Sequence, residues 1–170
     1  TQGSARVSHE FYLVNARDRY EALKRLADAN PDIFSVVFCR TKRDTQAVAE
    51  KLIEDAMKQN PDIIVFPELW TTGYDLTRLD TIADKGAAST IDFFKNAAKK
   101  YQVHFVGGSV ANQGEQGVKN TLIIINNNGQ HVHSYSKLHL FKLMDEHLYL
   151  EAGEEKGLFE LDNRHFAGVI

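Results

Sequence analysis

Two short apolar runs on either side of an amphipathic helix constrain the fold of this chain more than any other feature. The runs are "SVVFC" at 35–39 and "IIVF" at 63–66, and both lack the polar alternation of a half-exposed strand. Residues 43–60 between them carry an apolar stripe at helical spacing, with Asp44 or Thr45 as the predicted N-cap. This order predicts a right-handed βαβ unit with parallel strands.

The rest of the chain continues the alternation of helices and strands. Asn127-Asn128-Gly129 predicts a tight turn between two antiparallel strands. The predicted helices are 17–29 and 87–102, the second capped by Ser89 or Thr90, and the predicted strands are 103–110, 120–126, 130–136, 157–162 and 165–170. Residues 11–14 are a short β-favouring run. The pattern therefore predicts an α/β fold with a mixed sheet.

The composition argues against several classes of protein. The 170 residues carry a net charge of −3 with both signs interspersed, which disfavours a dedicated nucleic-acid or membrane-surface protein. No apolar run approaches the roughly 20 residues that a transmembrane helix needs, and the start of the chain lacks the apolar region of a signal peptide. A single cysteine, Cys39, excludes an internal disulfide and favours a cytoplasmic location.

The first candidate site residue is Glu68, which lies two residues after the predicted strand 63–66. Ligands of an open α/β sheet bind beyond the carboxyl ends of its strands, and Glu68 is expected at that edge. Trp70 and Tyr74 follow, and we expect them to shield the carboxylate and raise its pKa toward that of a general base. The alternative is a surface glutamate in a turn.

Two further charged residues are candidates. Lys137 follows an alternating strand and lies among apolar residues in "YSKLHLF" (135–141), a setting in which an ammonium can stabilise a developing oxyanion. The alternative is a lysine whose head group reaches solvent. Glu146 begins a helical turn in "MDEHLYLEAG" (144–153), and its alternative is a solvated helix terminus.

The sequence predicts neither a metal nor another cofactor. His131 and His133 share a strand face, but no cysteine or carboxylate set at metal spacing accompanies them. Gly107-Gly108 lacks the further glycine or lysine of a phosphate-binding loop.

Taken together, "DIIVFPELWTTGYDL", "FVGGSVA", "NTLIIINNNG", "YSKLHLF" and "DEHLYLEAG" resemble the carbon–nitrogen hydrolase (nitrilase) superfamily, in particular its ω-amidase-like branch, from about Glu50 onward. The resemblance implies an αββα sandwich and a Glu–Lys–Cys catalytic triad that acts on small amides such as those of dicarboxylates. It implies that Glu68 is the general base, that Lys137 stabilises the transition state, and that Glu146 positions Lys137 and the substrate.

The resemblance also implies a cysteine nucleophile directly after the strand that matches "FAGVI", at the position that would follow Ile170. The expectation is therefore a nitrilase-like segment truncated just before its nucleophile and without turnover, with a bare sheet edge that favours a homo-oligomer. The alternative is residual amidase activity through Cys39. The argument against it is that an apolar strand raises the pKa of a thiol and makes it less reactive.

Residues 7–55 resemble instead the start of the second RecA-like domain of a DEAD-box RNA helicase, with "VVFCRTKR" as the region near the RNA path. This likeness implies a hybrid of a helicase-like βα segment (1–56) and a nitrilase-like segment (57–170), packed as one unit. It leaves open a structural or weak RNA-binding module with contacts from Arg40 to Arg43. RNA unwinding is excluded because the helicase's ATP-binding motifs are missing from the sequence.

Overall fold

The structure is a computed structural model that describes residues 10–30, 32, 37, 39 and 41–170. The chain divides into two units, residues 1–38 and residues 39–170. The predicted strand 35–39 lies mostly outside the described residues, so the predicted βαβ unit stays a prediction at its first strand. The division into segments of different ancestry at residue 56 also stays a prediction.

In the first unit, a 3₁₀ turn at Ala16–Asp18 leads into helix α1, Arg19–Ala29, which agrees with the predicted helix 17–29. The β-favouring run at 11–14 forms no strand, and its residues adopt no regular secondary structure. Phe11 and Leu13 are strongly exposed. A β-favouring sequence of this length needs a neighbouring strand, and the described residues provide none.

The second unit contains the remaining elements. They are α2 (Lys42–Ala56), β1 (Ile63–Val65), α3 (Leu79–Ile82), β2 (Asp84–Lys85), α4 (Ala88–Tyr101), β3 (His104–Gly114), β4 (Gly117–Ile125), β5 (His131–Ser136), α5 (Glu146–Tyr149), β6 (Leu158–Leu161) and β7 (Arg164–Ala167). Short 3₁₀ turns lie at Met57–Gln59, Leu76–Arg78 and Lys142–Met144. No helix in the described part of the chain has the length and apolar character to span a bilayer.

The sheet is mixed, as the sequence predicts. In the described part of the chain, β1 and β2 both pair with β3 in parallel, and β3, β4 and β5 form an antiparallel series. The predicted hairpin around Asn127-Asn128-Gly129 is confirmed by the pairing of β4 with β5. Strands β3 and β4 are longer than predicted because their polar ends, up to Gly114 and from Gly117, pair with each other across a tight turn.

The two faces of β4 bury different sets of side chains. Ile123 and Ile125 pack with Ile53 of α2 and with Phe94 of α4. Leu122 and Ile124 pack on the other face with Leu161 of the β6–β7 hairpin. The sheet is therefore covered by α2 and α4 on one side and by the hairpin on the other. Because both faces are buried, "TLIII" reads as a continuous apolar run.

The helix caps differ from the predicted ones. The side chain of Thr41, rather than Asp44 or Thr45, caps α2 by accepting a hydrogen bond from the Asp44 backbone N–H at 3.1 Å. At the start of α4, neither Ser89 nor Thr90 is the cap.

The buried carboxylate of Asp84 caps α4 instead. It accepts hydrogen bonds from the backbone N–H and the hydroxyl of both Ser89 and Thr90. Burial raises the pKa of Asp84, but the hydrogen bonds from Ser89 and Thr90 and the charge of Lys42 outweigh burial and lower it. The carboxylate therefore stays charged at the positive end of the helix dipole.

His104, the first residue of β3, connects the turn of the β4–β5 hairpin to the turn of the β6–β7 hairpin. Its Nδ1 accepts a hydrogen bond from the backbone N–H of Asn127 at 3.1 Å, so Nε2 carries the proton of the neutral ring. Nε2 lies 2.8 Å from the carboxylate of Asp162, in the turn between β6 and β7. This contact attaches the predicted strand pair 157–162 and 165–170 to the sheet.

Candidate active site

Glu68 lies in the turn that follows β1, at the sheet edge where the sequence predicts it. The turn is attached to β3 by Ser109, whose hydroxyl accepts a hydrogen bond from the Leu69 N–H at 3.0 Å and whose N–H donates to the Pro67 carbonyl at 3.2 Å. This close approach requires glycine at position 108. Gly108 has φ +61°, and a Cβ there would overlap the Pro67 carbonyl oxygen.

Lys137 lies directly after β5 and is almost completely buried. Its backbone N–H donates to the Asn120 carbonyl at 2.9 Å, which extends the pairing of β5 with β4 by one residue. Its Nζ lies 2.8 Å from Glu68 Oε1 and 3.0 Å from Glu146 Oε1. The structure thus brings all three predicted site residues together around one ammonium group.

Glu146, the first residue of α5, has no exposed surface. Its Oε1 accepts from Lys137, and its Oε2 accepts from the Phe141 backbone N–H at 2.7 Å. Both oxygens of a carboxylate without solvent contact are therefore occupied by the protein. Such a group positions its neighbours, and its burial excludes the solvated helix terminus that the sequence leaves open.

Asn120 is a fourth member of the site that sequence reasoning missed. It is fully buried in β4, and its Nδ2 donates to Glu68 Oε1 at 2.7 Å. The available signal was an asparagine at the start of the apolar run "TLIII", where a buried polar side chain requires a partner. The partner lies 52 residues away in the sequence, so no local pattern identifies it.

The prediction of a raised pKa for Glu68 is wrong. Burial does raise it, but hydrogen bonds from Lys137, Tyr74 and Asn120 and the charge of Lys137 outweigh burial and lower the pKa. Burial also lowers the pKa of Lys137, and the contacts with Glu68 and Glu146 reverse that effect and raise it. At neutral pH the carboxylate of Glu68 is therefore ionised and Lys137 is charged.

The two aromatic residues after Glu68 have different surroundings. Trp70 packs in the core against Phe66, Phe93 and Phe94, and its Nε1 donates to the Gly107 carbonyl. Tyr74 instead hydrogen-bonds to the carboxylates of Glu68 and Glu146. Burial, followed by hydrogen bonding to Glu68, raises the pKa of Tyr74 and keeps its phenol protonated as a donor.

A carboxylate held ionised beside a fixed ammonium is suited to acyl-transfer chemistry. Glu68 has 31% of its side chain exposed, so its carboxylate can accept a proton from a group in solvent, and a buried positive charge such as that of Lys137 can stabilise negative charge that develops on an oxygen atom. This chemistry also needs a nucleophile. None of the described side chains that hydrogen-bond to Glu68 or Lys137 is a thiol, and Cys39 is half-buried.

Among the described residues, no group of three or more His, Cys, Asp or Glu side chains is arranged to hold a metal ion. His131 is engaged otherwise, since its Nε2 lies 2.8 Å from the Ser134 hydroxyl and 3.1 Å from the His133 carbonyl. The His131 ring is therefore held by residues of its own strand, β5.

Comparison with known proteins identifies relatives. The chain is 51% identical over 122 residues to a 2-oxoglutaramate amidase from Bacillus subtilis, a match that covers 72% of this chain and 47% of the relative. It is 33% identical over 99 residues to an ω-amidase from Escherichia coli, covering 58% and 37% of the two chains. The chain spans about half the length of the curated relatives it matches, or less.

The fold agrees with these matches. A carbon–nitrogen hydrolase superfamily protein from Xanthomonas campestris, solved with an arsenic adduct in its active site, superposes with a TM-score of 0.69 at 25% identity. The superposition covers 78% of this chain and 49% of that chain. The α/β, nitrilase-like class predicted for the fold is therefore confirmed.

The helicase likeness receives no such support. The sequence model of the carbon–nitrogen hydrolase family matches residues 30–163, so it includes residues 30–55, which the likeness assigned to a helicase. Lys42, one of the predicted RNA contacts, instead donates to the Ser89 hydroxyl at 2.8 Å and pairs with Asp84 at 3.6 Å, while Arg40 lies outside the described residues. A match over this much of the sequence shows that the chain belongs to the carbon–nitrogen hydrolase family.

Proposed function

We propose that this chain provides the acid–base and oxyanion-stabilising half of an amidase site that hydrolyses the terminal amide of a small dicarboxylate. The observation that carries the proposal is the buried Lys137 ammonium, which lies 2.8 Å from Glu68 and 3.0 Å from Glu146. A buried cation between two carboxylates costs desolvation energy, which a purely structural role does not require.

The reaction assigns a different role to each group. Glu68 accepts the proton of a thiol, whose sulfur attacks the amide carbon, and Lys137 stabilises the negative charge that develops on the carbonyl oxygen. The C–N bond then breaks, the proton returns from Glu68 to the leaving nitrogen, and ammonia departs from a thioester. Water, deprotonated by Glu68, hydrolyses the thioester and releases the thiol and the carboxylic acid.

The substrate class follows from the relatives. Two of the matching proteins are named a 2-oxoglutaramate amidase and an ω-amidase. Both names describe an amide at the end of a short acid. We therefore assign the same class of substrate to the site around Glu68.

The proposed reaction requires a thiol nucleophile. A thiol is what the family resemblance implies, and Cys39 is the single cysteine of this chain. Cys39 is one candidate source of this thiol. A cysteine supplied by a segment that follows residue 170 is the competing source.

The test measures ammonia released from 2-oxoglutaramate by two proteins. One is the chain as given, and the other is the chain joined to the remaining C-terminal part of the Bacillus subtilis relative. We expect turnover in the joined protein and a loss of about 100-fold or more in Glu68→Gln and Lys137→Met, because each removes a group that acts in the transition state. Lys142→Met, at an exposed lysine of the neighbouring loop, is the matched control and keeps full activity.

The outcomes separate the two sources of the thiol. Turnover by the chain as given that disappears in Cys39→Ser assigns the nucleophile to Cys39. Turnover in neither protein, with both folded, contradicts the proposed function, and so does an active Lys137→Met variant.

A further inference from the structure

The two oxygens of the Glu68 carboxylate have different surroundings. Oε1 accepts from Lys137 Nζ at 2.8 Å and from Asn120 Nδ2 at 2.7 Å. A carboxylate oxygen offers two lone-pair positions, so these two donors fill Oε1. Oε2 receives neither of these two donors and is left to take up a proton.

Asn120 connects the base to the cation through two separate contacts. Its side chain holds Glu68, and its backbone carbonyl accepts from the N–H of Lys137 at 2.9 Å. A displacement of this residue would therefore move both charged groups. Strand β4 is buried on both faces, so it provides a rigid base for the two contacts.

The stability of the fold does not account for asparagine at this position. The Oδ1 atom of Asn120 is buried and has no hydrogen-bond partner in the described part of the chain. A buried acceptor without a partner is destabilising, and an aliphatic side chain would avoid that cost. The amide N–H directed at Glu68 is the compensating contact, which points to a role in the site.

We propose that Asn120 is a positioning residue that orients the carboxylate of Glu68 with Oε1 toward Lys137, so that Oε2 is the oxygen that accepts the proton. This inference rests on the proposed function, because it assigns Glu68 the role of base. Lys137 alone attracts the carboxylate but leaves it free to rotate. The amide of Asn120, which is fixed in β4, holds the Glu68 carboxylate in the rotation that directs Oε1 toward Lys137.

The positioning role has a measurable effect on the titration of Glu68. In the described part of the chain, the groups that face its carboxylate are Lys137, Tyr74 and Asn120, and both Lys137 and Tyr74 also interact with Glu146. A donor to the charged form of a carboxylate favours that form. Removing the Asn120 donor therefore moves the titration of Glu68 to higher pH.

The experiment follows the side-chain carboxyl carbon of Glu68 by NMR across the acid range, in the full chain labelled at its glutamates. In Asn120→Ala, we expect the midpoint of Glu68 to move to higher pH, outside the fitting error. Thr121→Val is the matched control. Thr121 is equally buried on β4, but its hydroxyl contacts Ser136, and the midpoint of Glu68 stays unchanged.

A midpoint in folded Asn120→Ala that equals that of the unaltered chain overturns the inference. If Asn120→Ala does not fold, Asn120→Ser takes its place.

The unaltered chain supplies a second readout, which is the NMR signal of the Asn120 side-chain amide. We expect this signal to titrate with the midpoint of Glu68, and an amide signal that is insensitive to this titration overturns the inference as well. Neither readout requires turnover, so failure of the amide hydrolysis test is distinguishable from failure of this one.

Discussion

At the residue scale, the site depends on one buried cation that compensates two carboxylates. Glu146 has no exposed surface, and its Oε1 faces Lys137 Nζ at 3.0 Å. Glu68 is better solvated, with 31% of its side chain exposed. The loss of Lys137 therefore affects Glu146 more than Glu68, because only Glu146 would be a charge without contact with water.

We accordingly expect Lys137→Met to lower the free energy of unfolding by about 3 kcal/mol, because it leaves the buried charge of Glu146 without its partner. Urea unfolding monitored by circular dichroism measures the effect. The double variant Lys137→Met with Glu146→Gln is the control, and it recovers a large part of the loss because no buried charge remains. A single variant as stable as the unaltered chain would contradict the dependence of Glu146 on Lys137.

Glu68 and Lys137 are predicted as site residues because both come after strands, Glu68 two residues after the predicted strand 63–66 and Lys137 directly after β5. Local periodicity reveals such positions. The pKa of Glu68 was predicted in the wrong direction. The aromatic neighbours were visible in the sequence, whereas Lys137 is 69 residues away and Asn120 52 residues away.

At the element scale, the turn after β1 determines where Glu68 lies. The turn is held against β3 by Ser109, and the chain passes Pro67 so closely at Gly108 that a side chain has no space. Gly73, later in the same turn, has a similar φ of +59°, but a Cβ there would meet nothing within 4 Å. A side chain at position 73 would therefore meet only backbone strain, whereas one at position 108 would meet both backbone strain and steric overlap.

We expect Gly73→Ala to lower the free energy of unfolding by about 1 kcal/mol, since alanine is disfavoured at positive φ. Gly108→Ala adds steric overlap with Pro67 and Phe66 to the same strain, so we expect a loss of about 3 kcal/mol. Thermal and urea unfolding of the two variants provide the comparison. Equal losses in both would mean that the turn moves away from β3 without cost, and Glu68 would then not be held by this contact.

The capping of α4 shows why elements are easier to predict than the contacts that end them. The helix was predicted as 87–102 and observed at Ala88–Tyr101, because its apolar spacing is a local property. Its cap was assigned to Ser89 or Thr90, which lie at the start of the helix. Asp84 takes the role because β2 pairs with β3 and thereby places a buried carboxylate beside the first helical N–H groups.

At the scale of the whole molecule, carboxylates that accept hydrogen bonds determine how stability depends on pH in the acid range. The pKa values of Glu68 and Asp84 are lowered from ordinary values of 4.5 and 3.8. Their contribution to stability is therefore complete above those ordinary values and is lost as the pH falls through the lowered ones. Lys137 behaves in the opposite way: its raised pKa means that its contribution is lost only as the pH rises above its ordinary value of 10.5.

We therefore expect the free energy of unfolding to fall as the pH decreases below about 4.5, as measured by urea titrations at a series of pH values. Asp84→Asn makes this acid dependence shallower and costs about 1 kcal/mol at pH 7, because it removes a charged helix cap. Asp92→Asn, at an exposed carboxylate of the same helix, is the control. An acid dependence that is unchanged in Asp84→Asn would contradict the role assigned to its hydrogen bonds.

The sequence by itself determined the types and order of most elements, the β4–β5 hairpin, the α/β class and the two charged residues that follow strands β1 and β5. These properties follow from the spacing of apolar residues and from turn residues, which act over a few positions of the chain. Only the tertiary structure decided which groups surround Glu68, that its pKa is lowered, that Asn120 is its partner and that Asp84 caps α4. Those outcomes depend on strand register and on charges brought together from distant parts of the chain, and local patterns contain no information about either.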